Sequence, residues 1–266
     1  MDGFDPWESE LEPVLSAGHI PVPFVERSLV LPNRTFRVEL LGGGTTLAES
    51  DGLGRIFFSA RAAITHAIEV ELELLRADLS PTPGYGLRQP RLGLRVRLLE
   101  GPFEVAVGLG SEIPVDGDLT VDGGVETRLH IGGWARWDLR AGANSRRPVT
   151  ADGEADAQAD TELWFQLGPR LALGGMARLR GVELFDVNTL SGQAGAGIAW
   201  TVGVSKQPGF GDEKKRAQWE LIGLAWSPEE ALVGESLALP RIGEAWSGFL
   251  LIRWFFVNLD RDPFAD

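Results

Sequence analysis

The sequence predicts an all-β chain, an up-and-down antiparallel transmembrane β-barrel of about twelve strands. Three observations predict it. Apolar and polar residues alternate one for one in short runs from Phe36 to Val257, as in Ile68-Glu69-Val70-Glu71-Leu72-Glu73-Leu74. A period of two marks a strand with unlike faces. The connections between runs alternate between short and long. Finally, the polar face often carries full charges, while the other face is almost free of them.

The elements follow in order. Residues 1–34 are acidic and Pro-rich without a clear period, and Pro13, Pro21, Pro23 and Pro32 break any regular element. They read as an extended lead-in with one short helix near Glu8–Leu15. Residues 35–258 hold the barrel, with strands expected at 35–42, 54–65, 67–79, 88–99, 103–110, 124–131, 134–143, 161–167, 170–180, 193–204, 215–226 and 246–258. Residues 259–266 form a short C-terminal tail. Short turns are expected at Thr65-His66, Glu100-Gly101-Pro102, Gly132-Gly133 and Gly168-Pro169. Long connections fall at 43–53, 80–87, 111–123, 144–160, 181–192 and 227–245, and only 205–214 is longer than its slot predicts. Tight turns at one end and long loops at the other describe a membrane barrel. A Greek-key sandwich places its crossovers at both ends.

Composition narrows the classes. The 266 residues carry a net charge of -13, a field that disfavours nucleic acid as a partner. Cys is absent and His numbers 3, so neither a disulfide framework nor a thiolate or His-rich metal site is expected. No run is apolar enough for a transmembrane helix. Met1-Asp2-Gly3-Phe4-Asp5-Pro6 has neither the basic nor the apolar region of a signal peptide.

The two faces decide which way the barrel is turned. One face reads Phe36, Val38, Leu40; Ile68, Val70, Leu72; Leu92, Leu94, Val96; Val105, Val107, Leu109. About eight strands enclose an interior that side chains can fill, and twelve enclose more. The apolar face is therefore assigned to lipid and the charged face to an aqueous or salt-bridged lumen. Arg61, Glu69, Glu71, Glu73, Arg91, Arg95, Arg97, Glu104, Arg128, Arg136, Asp138 and Arg140 form the expected lumen-lining ladder. In a meander, Glu69/Glu71/Glu73 face Arg91/Arg95/Arg97, which face Glu104, each opposed pair contributing roughly 0.2–1 kcal/mol. The ladder reads as ion-selecting, or as pairs that neutralise each other and close the lumen. Gly195, Gly197, Ala199 and Gly203 are small lumen positions where water or a loop fills the space.

Leu29-Val30-Leu31-Pro32-Asn33-Arg34-Thr35-Phe36-Arg37-Val38-Glu39 resembles the lead into the barrel of many uncharacterised Gram-negative outer-membrane β-barrel proteins. Phe103-Glu104-Val105-Ala106-Val107-Gly108-Leu109-Gly110-Ser111-Glu112-Ile113-Pro114-Val115 is similar to their repeat of a strand and a Pro-containing loop. The resemblance covers about 28–258 and implies an outer-membrane, porin-like or transport-related barrel.

The expected function is passive, porin-like passage of small solutes or ions by a monomer in the outer membrane, with the lipid bilayer as partner. The alternatives are a closed structural barrel and a soluble β-sandwich that binds carbohydrate. No enzyme, catalytic residue, cofactor or metal is expected. His130 reads as a lumen residue and His66 as a solvated turn residue. Trp134, Trp137, Trp164, Trp200, Trp219, Trp226, Trp246 and Trp254 read as interface girdles. Asp116, Asp118 and Asp122, and Asp152, Glu154 and Asp156, are read as solvated loop acids, neither run fitting a Ca²⁺ loop. Gly42-Gly43-Gly44 is no phosphate cradle.

Overall fold

A period-two pattern must close on itself to leave no edge. In the computed structural model, which describes residues 23–33, 35–45, 53–79, 86–88, 90–113, 120–145, 155–181, 190–206, 216–227, 230–231 and 246–257, it does. The long strands are β1 (Thr35–Thr45), β2 (Leu53–Ala63), β3 (Ile68–Leu79), β4 (Arg91–Leu99), β5 (Phe103–Glu112), β6 (Val121–Ile131), β7 (Ala135–Ser145), β8 (Ala155–Gly168), β9 (Leu171–Gly181), β10 (Ser191–Lys206), β11 (Arg216–Trp226) and β12 (Ser247–Val257). Each pairs antiparallel with its neighbours in sequence, and β1 pairs with β12 from Thr35 opposite Val257 to Thr45 opposite Ser247. The ring is closed and up-and-down. Two short pieces, Gly86–Arg88 on β3 and Glu230–Ala231 on β10, extend the long-loop rim.

The faces are inverted relative to a water-soluble protein. Leu109 is 62% exposed and Leu92 52%, whereas Glu69 and Asp138 are each 1% exposed and Glu220 is fully buried. Alternation along most strands sends large apolar side chains outward and the charges inward. Strands of 11 residues rise about 36 Å, and a tilt near 45° reduces this to roughly the 25 Å of an outer-membrane apolar band. At the short-turn end, Gly132 sits at φ +57° and Gly101 at φ +123°, conformations that L side chains resist.

Several strands run further into the long-loop end than the sequence predicts. β1 continues through Gly42-Gly43-Gly44 to Thr45, β6 begins at Val121, β8 at Ala155 and β10 at Ser191. Glycine and acidic residues have low strand propensity. Pairing on both sides carries the ladder through them. The tail 259–266, the connection 207–215 and the helix expected near Glu8–Leu15 lie outside the described residues.

The described part of the lead-in, residues 23–33, lies inside the barrel. Phe24–Glu26 make a single 3-10 turn. Phe24 and Val25 pack with Trp164, Ala172, Met176, Ala199, Ile222, Trp226 and Leu251. Leu29 and Val30 pack with Ala106, and Leu31 packs with Ala63 and Phe255. The apolar core of the protein is thus built around an eleven-residue segment within a charged ring.

The faces set a depth-dependent expectation. Leu94→Arg, near the middle of β4, lowers stability by about 2–4 kcal/mol, and Leu99→Arg, at the short-turn end, by about 0–1 kcal/mol. Urea titration of the barrel folded into lipid vesicles checks both. Equal costs at the two positions would contradict the assigned membrane placement.

Candidate functional site

Charges turned inward on adjacent strands find one another by register. Glu69 stands opposite Arg95 and Glu73 opposite Arg91 on the β3–β4 pair. From there the ion pairs run around the wall. Arg61 lies 2.7 Å from Glu71 and 3.5 Å from Glu69, and Glu69 lies 2.9 Å from Arg95. Arg95 reaches Glu126 at 2.6 Å, Glu126 lies 3.4 Å from Arg140, and Arg140 lies 3.8 Å from Glu162. In the other direction Arg61 lies 3.8 Å from Glu39, which Arg253 meets at 2.5 Å, and Arg253 lies 3.5 Å from Glu220. The chain of alternating charge extends from β11 through β12 and β1 to β8.

It crosses β5 without a charge from that strand. Gly108 stands between Arg95 and Gly124, and Gly110 between Gly93 and Asp122. Arg91 spans the gap to Asp122, its Nε 2.6 Å from the carboxylate, and also lies 3.5 Å from Glu71 and 3.6 Å from Glu73. A Cβ at Gly110 would collide with the Arg91 guanidinium. The glycine is therefore a passage for an arginine. Its signal in the sequence was the missing side chain at an inward position of β5.

Five ladder members form a second constellation, which grips residues 24–30. Arg128 and Arg136 both pair with Asp138, at 2.7 and 3.0 Å. Arg128 also donates to the Arg27 carbonyl at 2.7 Å, and Arg136 to the Phe24 carbonyl at 2.7 Å while its guanidinium lies 4.1 Å from the Phe24 ring centre. Glu104 does not stand opposite an arginine of β4. Arg97, the β4 arginine nearest to it, stands opposite Ala106, and the register partner of Glu104 is Arg128 on β6. Its carboxylate accepts from the Leu29 N–H at 2.7 Å, Ser28 Oγ at 2.9 Å and His130 Nε2 at 2.9 Å. Arg97 pairs with Glu100 at 3.1 Å and donates to the Val30 carbonyl at 2.8 Å. All twelve expected ladder residues thus have charged neighbours. The second constellation turns its remaining hydrogen-bonding capacity to a peptide segment.

The segment's own charges follow. Arg27 pairs with the buried Glu220 and donates to Thr201 Oγ1 at 3.0 Å. Burial pulls its guanidinium below the ordinary value, with Glu220 acting against that pull. Burial holds the Glu26 carboxyl above its usual range, and nearby His130 opposes the shift.

His130 sits in the wall with both ring nitrogens engaged, Nδ1 2.8 Å from the Val25 carbonyl and Nε2 2.9 Å from Glu104. Both partners are oxygen acceptors. His66 is exposed in the β2–β3 turn. Trp134, Trp137, Trp200, Trp219 and Trp246 are exposed on the outer face. Trp164 and Trp226 are corrected, because both turn inward and are buried. Trp164 meets Phe24 edge-on at 4.7 Å and fills the space over Gly174 and Gly197. Trp226 covers Gly195. Those small positions therefore accommodate indole rings where water or a loop had been expected. Asp122 and Asp156 are strand residues, Asp156 lying 3.5 Å from Arg180. Asp116, Asp118, Asp152 and Glu154 lie outside the described residues. Among the described residues no cluster of three or more His, Asp or Glu could hold a metal ion.

No protein-family model matches the chain, and no curated protein matches it. Solved structures do. An outer membrane channel from Pseudomonas putida F1 superposes with a TM-score of 0.53 at 12% identity, over 86% of this chain and 97% of that one. The NanC porin gives a TM-score of 0.49 at 6% identity, over 83% of this chain and 100% of that one. The KdgM porin gives 0.47 at 5% identity, over 82% and 98%. The first of these is a likeness of fold across nearly the whole barrel.

Removing the shared acid tests the buried constellation. Asp138→Ala leaves Arg128 and Arg136 buried without a counter-charge and lowers stability by about 3–5 kcal/mol. Arg140→Gln acts on a side chain 43% exposed and costs less than about 1 kcal/mol. Urea midpoints in detergent micelles measure both, and a cost for Asp138→Ala no larger than that for Arg140→Gln would refute the assignment.

Proposed function

We propose that the protein is a monomeric outer-membrane channel that passes small solutes or ions passively, with Arg61, Glu69, Glu71, Glu73, Arg91, Arg95, Arg97, Glu104, Arg128, Arg136, Asp138 and Arg140 lining the path. The observation that carries this reading is the inversion of faces on a closed ring. Apolar side chains turned to lipid leave the charged interior as the one route of high polarity across the bilayer. The fold likeness to an outer membrane channel from Pseudomonas putida F1 agrees with it.

The ladder would act as a transverse field. Guanidinium and carboxylate groups alternate around the wall, so a permeating ion meets both signs at one depth. A second reading is a closed structural barrel, and one observation favours it: residues 24–31 occupy part of the interior.

Planar-bilayer recording tests the channel. Stepwise conductance is expected from the purified protein, and its absence under every condition would leave the closed barrel standing. Arg95→Gln leaves Glu69 and Glu126 without their shared cation and shifts the reversal potential in a salt gradient toward cation preference. An unchanged reversal potential would remove Arg95 from the path.

A further inference from the structure

Side chains that merely fill a lumen pack against other side chains. Here the wall addresses a peptide main chain. Arg136, His130, Arg128 and Arg97 meet the carbonyl oxygens of Phe24, Val25, Arg27 and Val30 at 2.7, 2.8, 2.7 and 2.8 Å. Gln166, Glu104 and Glu69 accept from the N–H groups of Val25, Leu29 and Leu31 at 3.3, 2.7 and 3.0 Å. Seven wall residues on β3 to β8 thus meet four carbonyls and three amides of the segment's main chain.

Each charged group among them also has a second partner in the wall. Arg128 and Arg136 have Asp138. His130 and Glu104 have each other, Arg97 has Glu100, and Glu69 has Arg95 and Arg61. Glu220, which Arg27 joins, has Arg253. The heavy cost of breaking a buried ion pair comes from the charge left alone. Departure of the segment leaves none of these alone. Water can replace the lost main-chain bonds at modest net cost. The segment is tied to β1 through a tight turn, in which the Thr35 N–H donates to the Pro32 carbonyl at 3.2 Å.

We infer that the barrel interior is a binding site for a peptide main chain, that Phe24–Leu31 is its tethered occupant, and that this segment is a displaceable stopper. The inference rests on the channel reading for its effect on flow, but not for its binding chemistry.

The native chain has no Cys, so two substitutions in the full-length protein test it. Val30 is fully buried against Ala106. In V30C, a water-soluble maleimide labels the introduced thiol slowly, as the segment leaves and returns. Adding E104Q, which replaces a charge-assisted bond to the Leu29 N–H with a neutral one, raises the labelling rate about tenfold. In V30C/A106C, oxidation locks the segment and abolishes conductance, and reduction restores it. Four outcomes have distinct meanings. Failure of the pair to crosslink overturns the docking. A locked barrel that conducts like the reduced one overturns the stopper and leaves the channel standing. Labelling that E104Q does not accelerate overturns main-chain recognition by Glu104. Labelling without conductance in any state overturns the channel reading and leaves the displaceable segment standing.

Discussion

The interior of this barrel depends on one constraint: no charge may be buried alone. Twelve strands with inward Arg, Glu and Asp would be costly to bury if each ion stood by itself. The register resolves this by alternating the signs from strand to strand. Arg61 between Glu39, Glu69 and Glu71, and Glu126 between Arg95 and Arg140, each serve two or more neighbours. A network of this kind ties strands together through side chains as well as through the backbone ladder. It also explains an absence, since β5 contributes Gly108 and Gly110 where its neighbours contribute charges, and the arginines of β4 reach across to β6.

The same constraint divides the interior in two. From β1 to β8 the inward positions are largely charged. From β9 to β12 many of them are small or apolar, among them Ala172, Met176, Gly195, Gly197, Ala199, Ile222, Leu251 and Phe255. The segment 24–31 sits between the halves and is suited to both. Its carbonyls and amides face the charged groups, while Phe24 and Val25 meet the apolar wall and Trp164. Its one buried cation, Arg27, goes to Glu220, the buried acid of the apolar half, and lies 5.2 Å from the Phe255 ring centre.

Much of this was legible in the sequence, for a physical reason. A period of two is local, so Ile68–Leu74 and Arg91–Leu98 declare their faces without reference to the rest of the chain. Charge complementarity between consecutive strands is nearly local too, and the acids of β3 facing the arginines of β4 followed from the meander. What was not legible depends on distant contacts. Strand ends such as Gly42–Thr45 and Ala157–Asp160 exist because both neighbours pair with them, against their own propensities. Glu104 was assigned to the wrong arginines because the register between β4 and β5 places Arg97 opposite Ala106, two residues from Glu104. Trp164 falls on the same face as Glu162 and Gln166, so its parity was correct for the interior. The expectation that tryptophans gather at the membrane interface outweighed that signal.

β12 shows how the segment could have been sensed before it was seen. Phe249-Leu250-Leu251-Ile252-Arg253-Trp254-Phe255-Phe256 hardly alternates at all, unlike β3 and β4. A strand of a water-filled barrel should present polar residues to the lumen. A strand reads as continuously apolar when both its faces are covered by apolar material. Here Leu250 faces lipid, whereas Leu251 joins the cluster around Phe24 and Phe255 packs on Leu31. The one inward charge, Arg253, lies between Glu39 and Glu220. The broken alternation of the last strand is thus the imprint of a segment more than 200 residues earlier in the chain. Because the match is made in apolar area on one side and in main-chain hydrogen bonds on the other, no complementary side-chain motif marks it in the sequence.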